Sequence, residues 1–178
     1  MSKQIPRWRD RDTQPDTFVH GAWPRLRPPT GEVPRQDGGL HPDFAAPSVL
    51  VIDDDPDLAV ALADVITRRG YRAATVRDGS EIMIDLSRIV PGLGPLSCVD
   101  VLVLDFVMPR SSGLEVLEFA KASGWPVSTV IISAFANHEV QTRSMSLGAK
   151  AVLNKPFAPR DLVETLERIA PLPTLKTP

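Results

Sequence analysis

The sequence predicts an α/β fold in which helices cover both faces of a doubly wound, five-stranded parallel sheet. Five short apolar runs alternate with segments of helical periodicity between residues 48 and 170. The runs in 48–52 and 101–104 are continuously apolar, which is typical of strands that are buried on both faces. Each run precedes a helical pattern, and parallel strands need such a crossover to return the chain.

The first strand and helix have clear boundaries. Ser48–Ile52 is the strand, and Asp55 is predicted to cap a helix whose first residue, Pro56, has no N–H to leave unpaired. An apolar stripe along the helix faces the sheet, and Gly70 ends it. Residues 71–76 form a second, more polar strand, which predicts a position near a sheet edge.

The segment from Asp78 to residue 99 is less regular. Asp78 and Gly79 predict a turn into a second helix with apolar residues at Ile82, Met83, Leu86 and Ile89. The connection over 90–99 is longer than is usual in such units. Cys98, the single cysteine, lies in an apolar stretch and is interpreted as a small buried residue and not as a reactive thiol.

The remaining pattern contains three strands and three helices in alternation. The predicted strands are Val101–Leu104, Val127–Ile132 and Ala151–Leu153. The predicted helices cover Gly113–Ser123, then the residues from Asn137 to Leu147, and a final segment that carries Leu162, Val163, Leu166 and Ile169. Gly124 and Gly148 are the expected stop signals of the first two.

Composition divides the chain into three parts. Residues 1–47 hold eight of the 18 prolines and little apolar periodicity, so we expect a mostly disordered or extended segment, with residues 48–170 as the domain and 171–178 as a tail. A net charge of −2 predicts no direct nucleic-acid partner. No apolar run approaches the ~20 residues that span a bilayer, and no secretory signal is evident, so we expect a cytoplasmic protein without membrane contact.

Polar side chains follow four of the predicted strands. Asp53 and Asp54 follow the first strand, Asp105 the third, Ser133 the fourth and Lys155 the fifth. The carboxyl ends of parallel strands meet at one edge of a sheet, where ligands bind. Two carboxylates ~5 Å apart repel by roughly 3 kcal/mol at an effective dielectric of ~20, so the cluster needs a cation besides the lysine. Oxygen ligands favour Mg²⁺, and a carboxylate beside it can attack phosphorus.

Four segments at these strand ends, VIDDDP, LDFVMPRSSG, ISA and KPF, resemble the receiver domains of bacterial response regulators, as in CheY-like proteins. The resemblance covers about 48–170 and implies strand order 2-1-3-4-5. It implies Asp105 as the phosphoacceptor and as a Mg²⁺ ligand, with Asp54 as a second direct ligand. Asp53 would act through a metal-bound water, and the Val107 carbonyl would complete the protein ligands.

The same resemblance assigns the remaining site residues. Ser133 matches the switch hydroxyl and Lys155 the lysine that pairs with the phosphoryl group, before a characteristic, expected cis, Pro156. Gly113 matches the glycine that opens the following helix. The implied partners are a sensor histidine kinase or a histidine phosphotransfer protein and an unknown downstream protein target. The implied chemistry is only the chain's own phosphorylation and dephosphorylation.

One position departs from the family pattern and keeps an alternative open. Where receivers usually have Tyr or Phe three residues before the lysine, this chain has Val152. A valine has no large ring to relocate, so we expect the response to phosphorylation to lie in the loop after Ser133, where Phe135 can substitute. The alternative is a degenerate receiver that binds partners without phosphorylation.

Two other classes of protein, one with related chemistry and one with a similar sheet, fit the sequence less well. A phosphatase of the haloacid dehalogenase type needs an acid two residues after the nucleophile, where this chain has Val107. A flavodoxin-like cofactor binder needs a phosphate loop after strand one, where three aspartates stand instead. Only a short tail follows residue 170, so we expect no DNA-binding domain after it. Residues 1–47 are interpreted as a linker with incidental aromatic residues, and the alternative is a segment that docks a partner through Trp8, Phe18 and Trp23.

Overall fold

The computed structural model describes residues 46–80 and 99–173. The expectations for the proline-rich segment up to residue 45, the second helix with its long connection, Cys98 and the last five residues lie outside these ranges. Within the described residues no helix combines the length and the apolar character that crossing a bilayer requires.

The described residues contain a five-stranded, all-parallel sheet in the order β2-β1-β3-β4-β5, as predicted. The strands are β1 Ser48–Ile52, β2 Arg72–Val76, β3 Val101–Asp105, β4 Ser128–Ser133 and β5 Ala151–Asn154. The four helices in the same ranges are α1 Pro56–Arg68, α2 Gly113–Ala122, α3 His138–Leu147 and α4 Pro159–Ile169. The more polar strand β2 lies at a sheet edge, which confirms that prediction.

The core consists of two clusters, one on each face of the sheet. Leu50 and Leu102 belong to the cluster that includes α2, whereas Val49 and Val101 belong to the cluster that includes α1 and α4. Successive side chains of a strand point to opposite faces, so a continuously apolar strand supplies both clusters. This accounts for the apolar runs in β1 and β3, whose residues are all buried.

Helix ends follow the local signals of the sequence. The Asp55 side chain accepts hydrogen bonds from the backbone N–H groups of Asp57 and Leu58, which confirms it as the N-cap of α1. Gly148 ends α3 in the left-handed region, at φ 109°. Helix α2 begins with a reciprocal capping box between Ser112 and Glu115, which we did not predict.

Parallel pairing brings the carboxyl ends of the strands to one edge. Ile52 pairs with Leu104, Asp105 pairs with Ile132, and Ser133 pairs with Asn154. The residues that directly follow β1 therefore emerge beside Asp105, the last residue of β3, and those that follow β5 emerge beside Ser133, the last residue of β4. This edge carries the candidate site.

Candidate functional site

Three carboxylates form a cluster at this edge. Asp53, Asp54 and Asp105 each place an oxygen within 4.8 Å of the others. Asp53 is 2% exposed and Asp105 is 8% exposed, whereas Asp54 is exposed to solvent. The buried positions follow from the strands, because the Asp53 N–H still donates to the Val76 carbonyl of β2, at 3.2 Å.

Lys155 joins two of these carboxylates. Its Nζ lies 3.0 Å from Asp53 Oδ2 and 3.0 Å from Asp105 Oδ1. The Lys155 backbone N–H donates to the Ser133 carbonyl at 2.8 Å, and the Lys155–Pro156 peptide bond is cis, as expected. The fifth strand thus delivers an ammonium group to the carboxylates that end the first and third strands.

Burial, hydrogen bonds and neighbouring charges shift the pKa values of Asp105 and Lys155. Burial raises the pKa of the Asp105 carboxyl, the hydrogen bond from Lys155 lowers it in part, and the charges of Asp53 and Asp54 raise it again, so the net direction is upward. Burial alone would lower the pKa of Lys155, but its hydrogen bonds to Asp105 and Asp53 outweigh this effect and raise it. Burial is thus the main cause of the raised pKa of Asp105, and the neighbouring carboxylates add to it.

The acidic cluster fits a hard divalent cation. All three side-chain donors are carboxylate oxygens, which Mg²⁺ prefers, and a single ammonium leaves their charge incompletely balanced. An exposed Asp54 beside two buried aspartates leaves one side of the cluster open to water or to a ligand. Asp55, by contrast, turns away to cap α1, as predicted.

The loop over 106–112 continues directly from Asp105 and folds back on the strand end. Val107 forms an isolated antiparallel bridge with Ser112, and the Gly113 N–H donates to the Phe106 carbonyl at 3.1 Å. A Cβ at Gly113 would lie 2.4 Å from the Asp105 carbonyl oxygen. The close approach requires glycine, so Gly113 fits α2 against the end of β3.

The loop over 134–137 continues from Ser133. The Ser133 side chain is buried, and its Oγ accepts a hydrogen bond from the Phe135 N–H at 3.0 Å. The Phe135 ring is 71% exposed, whereas Val152 is half-buried against the cluster that includes α2. Ser133 therefore lies at the end of β4, next to the end of β3, with its hydroxyl engaged by the backbone of its own loop.

The structure brings together Asp53, Asp54, Asp105 and Lys155, and it places Ser133 on the adjacent strand end. Sequence reasoning interpreted Asp78 only as a turn residue, although it contacts the loop over 106–112 through Arg110 and Ser111. The available signal was weak, because an Asp-Gly pair after a strand is common in turns of any function.

Comparison with known proteins gives a consistent result. Residues 49–167 match the response regulator receiver domain. The chain is 32% identical over 137 residues to the chemotaxis protein CheY of Treponema pallidum, across 76% of this chain and 89% of that protein. It is 31% identical over 116 residues to the DNA-binding response regulator MtrA of Mycolicibacterium smegmatis, across 65% of this chain but only 46% of MtrA.

A solved structure gives the same fold. The chemotaxis protein CheY4 of Vibrio cholerae, crystallized at pH 4.0, superposes with a TM-score of 0.60 over 70% of this chain and 99% of that chain, at 24% sequence identity. At this identity the likeness concerns the fold alone. The predicted sheet order and helix arrangement are those of this structure.

Proposed function

Since the chain belongs to the response regulator receiver domain family, we propose that Asp105 accepts the phosphoryl group in a two-component signalling system. The observation that carries this assignment is the position of Lys155 Nζ, 3.0 Å from both Asp53 Oδ2 and Asp105 Oδ1, within a cluster of three carboxylates. A nucleophilic carboxylate, an ammonium group and oxygen ligands for a cation are the parts that phosphoryl transfer needs.

The proposed reaction takes place at an Asp105 carboxylate oxygen. This oxygen attacks the phosphorus of a phosphohistidine donor, an O–P bond forms as the P–N bond breaks, and the departing imidazole takes up a proton from water. Lys155 then pairs with a phosphoryl oxygen. The Ser133 hydroxyl donates a hydrogen bond to another, which stabilises the transferred group.

The cation in this proposal is Mg²⁺. Asp54 and Asp105 would hold it directly, Asp53 would act through a water, and the Val107 backbone carbonyl would complete the protein ligands. When bound, Mg²⁺ neutralises charge on the transferring phosphoryl group. Two observations support this ligand set. Carboxylate oxygens of Asp53, Asp54 and Asp105 lie within 4.8 Å of one another, and Val107 is two residues after Asp105 in the loop that leaves β3.

Acetyl phosphate with Mg²⁺ tests the assignment. Intact mass spectrometry should detect an adduct of about 80 Da on the wild-type chain, the mass that one phosphoryl group adds in place of a proton. D105N and removal of Mg²⁺ with EDTA should each abolish it. The matched control is D55N, since Asp55 belongs to the same aspartate run but only caps α1, and asparagine caps equally well. An adduct that persists in D105N would refute the assignment.

The partners follow from the same proposal. The donor is a sensor histidine kinase or a histidine phosphotransfer protein, and the phosphorylated chain acts through a downstream protein target, without direct contact to nucleic acid or membrane. Residues 48–170 are the receiver unit, and 1–47 and 171–178 are an extension and a tail. The chain catalyses only its own phosphorylation and dephosphorylation, in the cytoplasm.

A degenerate receiver is the second candidate, and Val152 is the observation that favours it. The side chain of Val152 is half-buried and packs against the core, and a valine has no ring that could move. In that case D105N would bind the downstream target as well as the wild-type chain does. Equal binding in a pull-down with and without acetyl phosphate would support this candidate over the first.

If phosphorylation does switch the chain, the response should lie after β4. Amide NMR shifts on addition of beryllofluoride, a phosphoryl mimic, should be largest over 134–137, because Phe135 N–H contacts the Ser133 hydroxyl that must reorient. Large shifts confined to 150–153 would contradict this expectation, since Val152 lies there.

A further inference from the structure

Asp78 lies outside the acidic cluster, at the end of the edge strand β2. Its carboxylate is buried, at 4% exposure. Oδ1 accepts a hydrogen bond from the Ser80 N–H at 2.8 Å and from Ser111 Oγ at 3.5 Å. Oδ2 lies 2.5 Å from Arg110 Nε. Two of the three partner residues belong to the loop over 106–112, so this carboxylate joins β2 to the loop that follows Asp105.

The Asp78 carboxylate depends on Arg110 for its charge balance. Among the described residues no donor has the geometry of a hydrogen bond to Oδ2. The charge of the carboxylate is balanced by the Arg110 guanidinium. Burial alone would raise the pKa of Asp78, but the hydrogen bonds from Ser80 and the charge of Arg110 outweigh it and hold the pKa below its ordinary value. A buried carboxylate without a partner is costly, so the ion pair restrains Arg110, whose side chain is otherwise 72% exposed.

Close packing reinforces the contact. A Cβ at Gly79 would lie 2.4 Å from Val116 Cγ2 and 2.8 Å from Ser111 Oγ. The turn at 78–80 therefore lies directly against the end of the loop over 106–112 and the start of α2. Any displacement of this turn is transmitted to Ser111, which is itself 4% exposed.

We propose that the Asp78–Arg110 ion pair is a positioning device for the cation site, holding the loop over 106–112 so that the backbone carbonyl of Val107, two residues after Asp105, keeps its position. The inference rests on the proposed function, in which that carbonyl is a Mg²⁺ ligand. Mg²⁺ demands near-ideal octahedral geometry, so a small displacement of one ligand lowers affinity. Residues that orient metal ligands without touching the metal change affinity by about 10- to 100-fold.

The test compares D78N with the wild-type full-length chain. Asparagine keeps an acceptor for the Ser80 N–H but removes the charge that holds Arg110. In a Mg²⁺ titration followed by amide NMR shifts, we expect a Kd about tenfold weaker than wild type. In Mg²⁺-free protein, hydrogen exchange of the Gly113 amide, which bonds the Phe106 carbonyl, should be faster. R110Q should act in the same direction, and R110K, which keeps the charge, should restore most of the affinity.

The matched control is R69Q. Arg69 pairs with Glu167 of α4 and lies three residues before the start of β2. The amino-terminal ends of the strands are opposite the carboxyl ends that carry the acidic cluster. Loss of this exposed pair should leave the Mg²⁺ Kd and the Gly113 exchange rate unchanged. Unchanged values in both D78N and R110Q, or equal losses in R69Q, would overturn the inference while the proposed function stood. A wild-type chain that bound no Mg²⁺ and formed no adduct at Asp105 would overturn both.

Discussion

Strands β3 and β4 lie side by side, each ends in a residue of the candidate site, and each continues into a short loop. Beyond Asp105, the loop over 106–112 places Met108 and Ser111 in buried positions, at 6% and 4% exposure. Beyond Ser133, the loop over 134–137 exposes most of its side chains, including the Phe135 ring. The first loop is bound to the core and to the turn at 78–80 that follows β2, whereas the second is held mainly by its own hydrogen bonds.

Under the proposed function, this difference would separate two tasks at one site. A cation needs ligands that stay in place, and the loop that follows Asp105 is anchored accordingly. A hydroxyl that responds to a ligand must be able to move, and segments with few buried contacts open at low cost in free energy. We therefore expect the acidic side of the site to be more rigid than the Ser133 side.

The sharpest test of this contrast truncates one apolar side chain in each loop. M108A should lower the free energy of unfolding by about 3 kcal/mol, because it leaves a cavity in the cluster that includes α2. F135A should cost less than about 0.5 kcal/mol, because its ring is exposed. Urea denaturation of both variants measures the difference. Similar losses in the two variants would remove the contrast.

A second test inserts a methyl group at the base of the anchored loop. G113A should cost about 2 kcal/mol, because the new Cβ would meet the Asp105 carbonyl oxygen at 2.4 Å. The control is G124A, where φ is +69° but no atom lies within 4 Å, so the cost should be about 1 kcal/mol from backbone strain alone. Thermal unfolding compares them, and G113A should also weaken Mg²⁺ binding. A smaller loss in G113A than in G124A would contradict the close packing.

A third test loosens the Ser133 side. Asn154 Oδ1 accepts a hydrogen bond from the Ala136 N–H at 3.4 Å, the contact that links this loop to β5. N154A should cost only about 0.5 kcal/mol, because the bond is long and exposed. Hydrogen exchange of the Ala136 amide should nevertheless accelerate, with no change at Gly113. An equal acceleration at both amides would show that the two loops are not independent.

The smallest expected effect is a pH dependence of the anchored side. The pKa of Asp78 is lowered in the folded chain, so this residue contributes stability at pH values above its unfolded pKa of about 3.9. That contribution is lost as the pH falls through the lower, folded pKa. The difference in unfolding free energy between wild type and D78N should therefore shrink between pH 7 and pH 3. A difference that stays constant over this range would mean that the Asp78 charge does not stabilise the loop.

Local patterns were sufficient to predict the α/β class and the positions of the strands, whereas the strand order came from the resemblance to receiver domains. Apolar runs located the strands to within one residue at every end; β4, for example, was predicted as 127–132 and is Ser128–Ser133. Because the carboxyl ends of parallel strands lie at the same side of a sheet, the sequence alone predicts that the residues at four strand ends lie close together. Asp55 was separable from its two neighbours because a proline follows it directly.

The contact between the side chains of Asp78 and Arg110 was not predictable, unlike the meeting of side chains at the strand ends. Asp78 and Arg110 have individually ordinary surroundings in the sequence, and their pairing depends on how the turn at 78–80 packs on α2. The Ser112 capping box was visible in principle, as a serine three residues before Glu115.

The run Asp53-Asp54-Asp55 carries three distinct roles on three identical residues. The first is buried and bound to Lys155, the second is exposed in the acidic cluster, and the third caps α1 while its N–H donates to Asp53 Oδ1 at 3.0 Å. Removing any one codon of the three yields the same shortened protein. Strand pairing fixes one end of the run and Pro56 fixes the other. The two aspartates that remain after a deletion therefore cannot occupy all three positions, and one of the three roles would be lost whichever codon is removed.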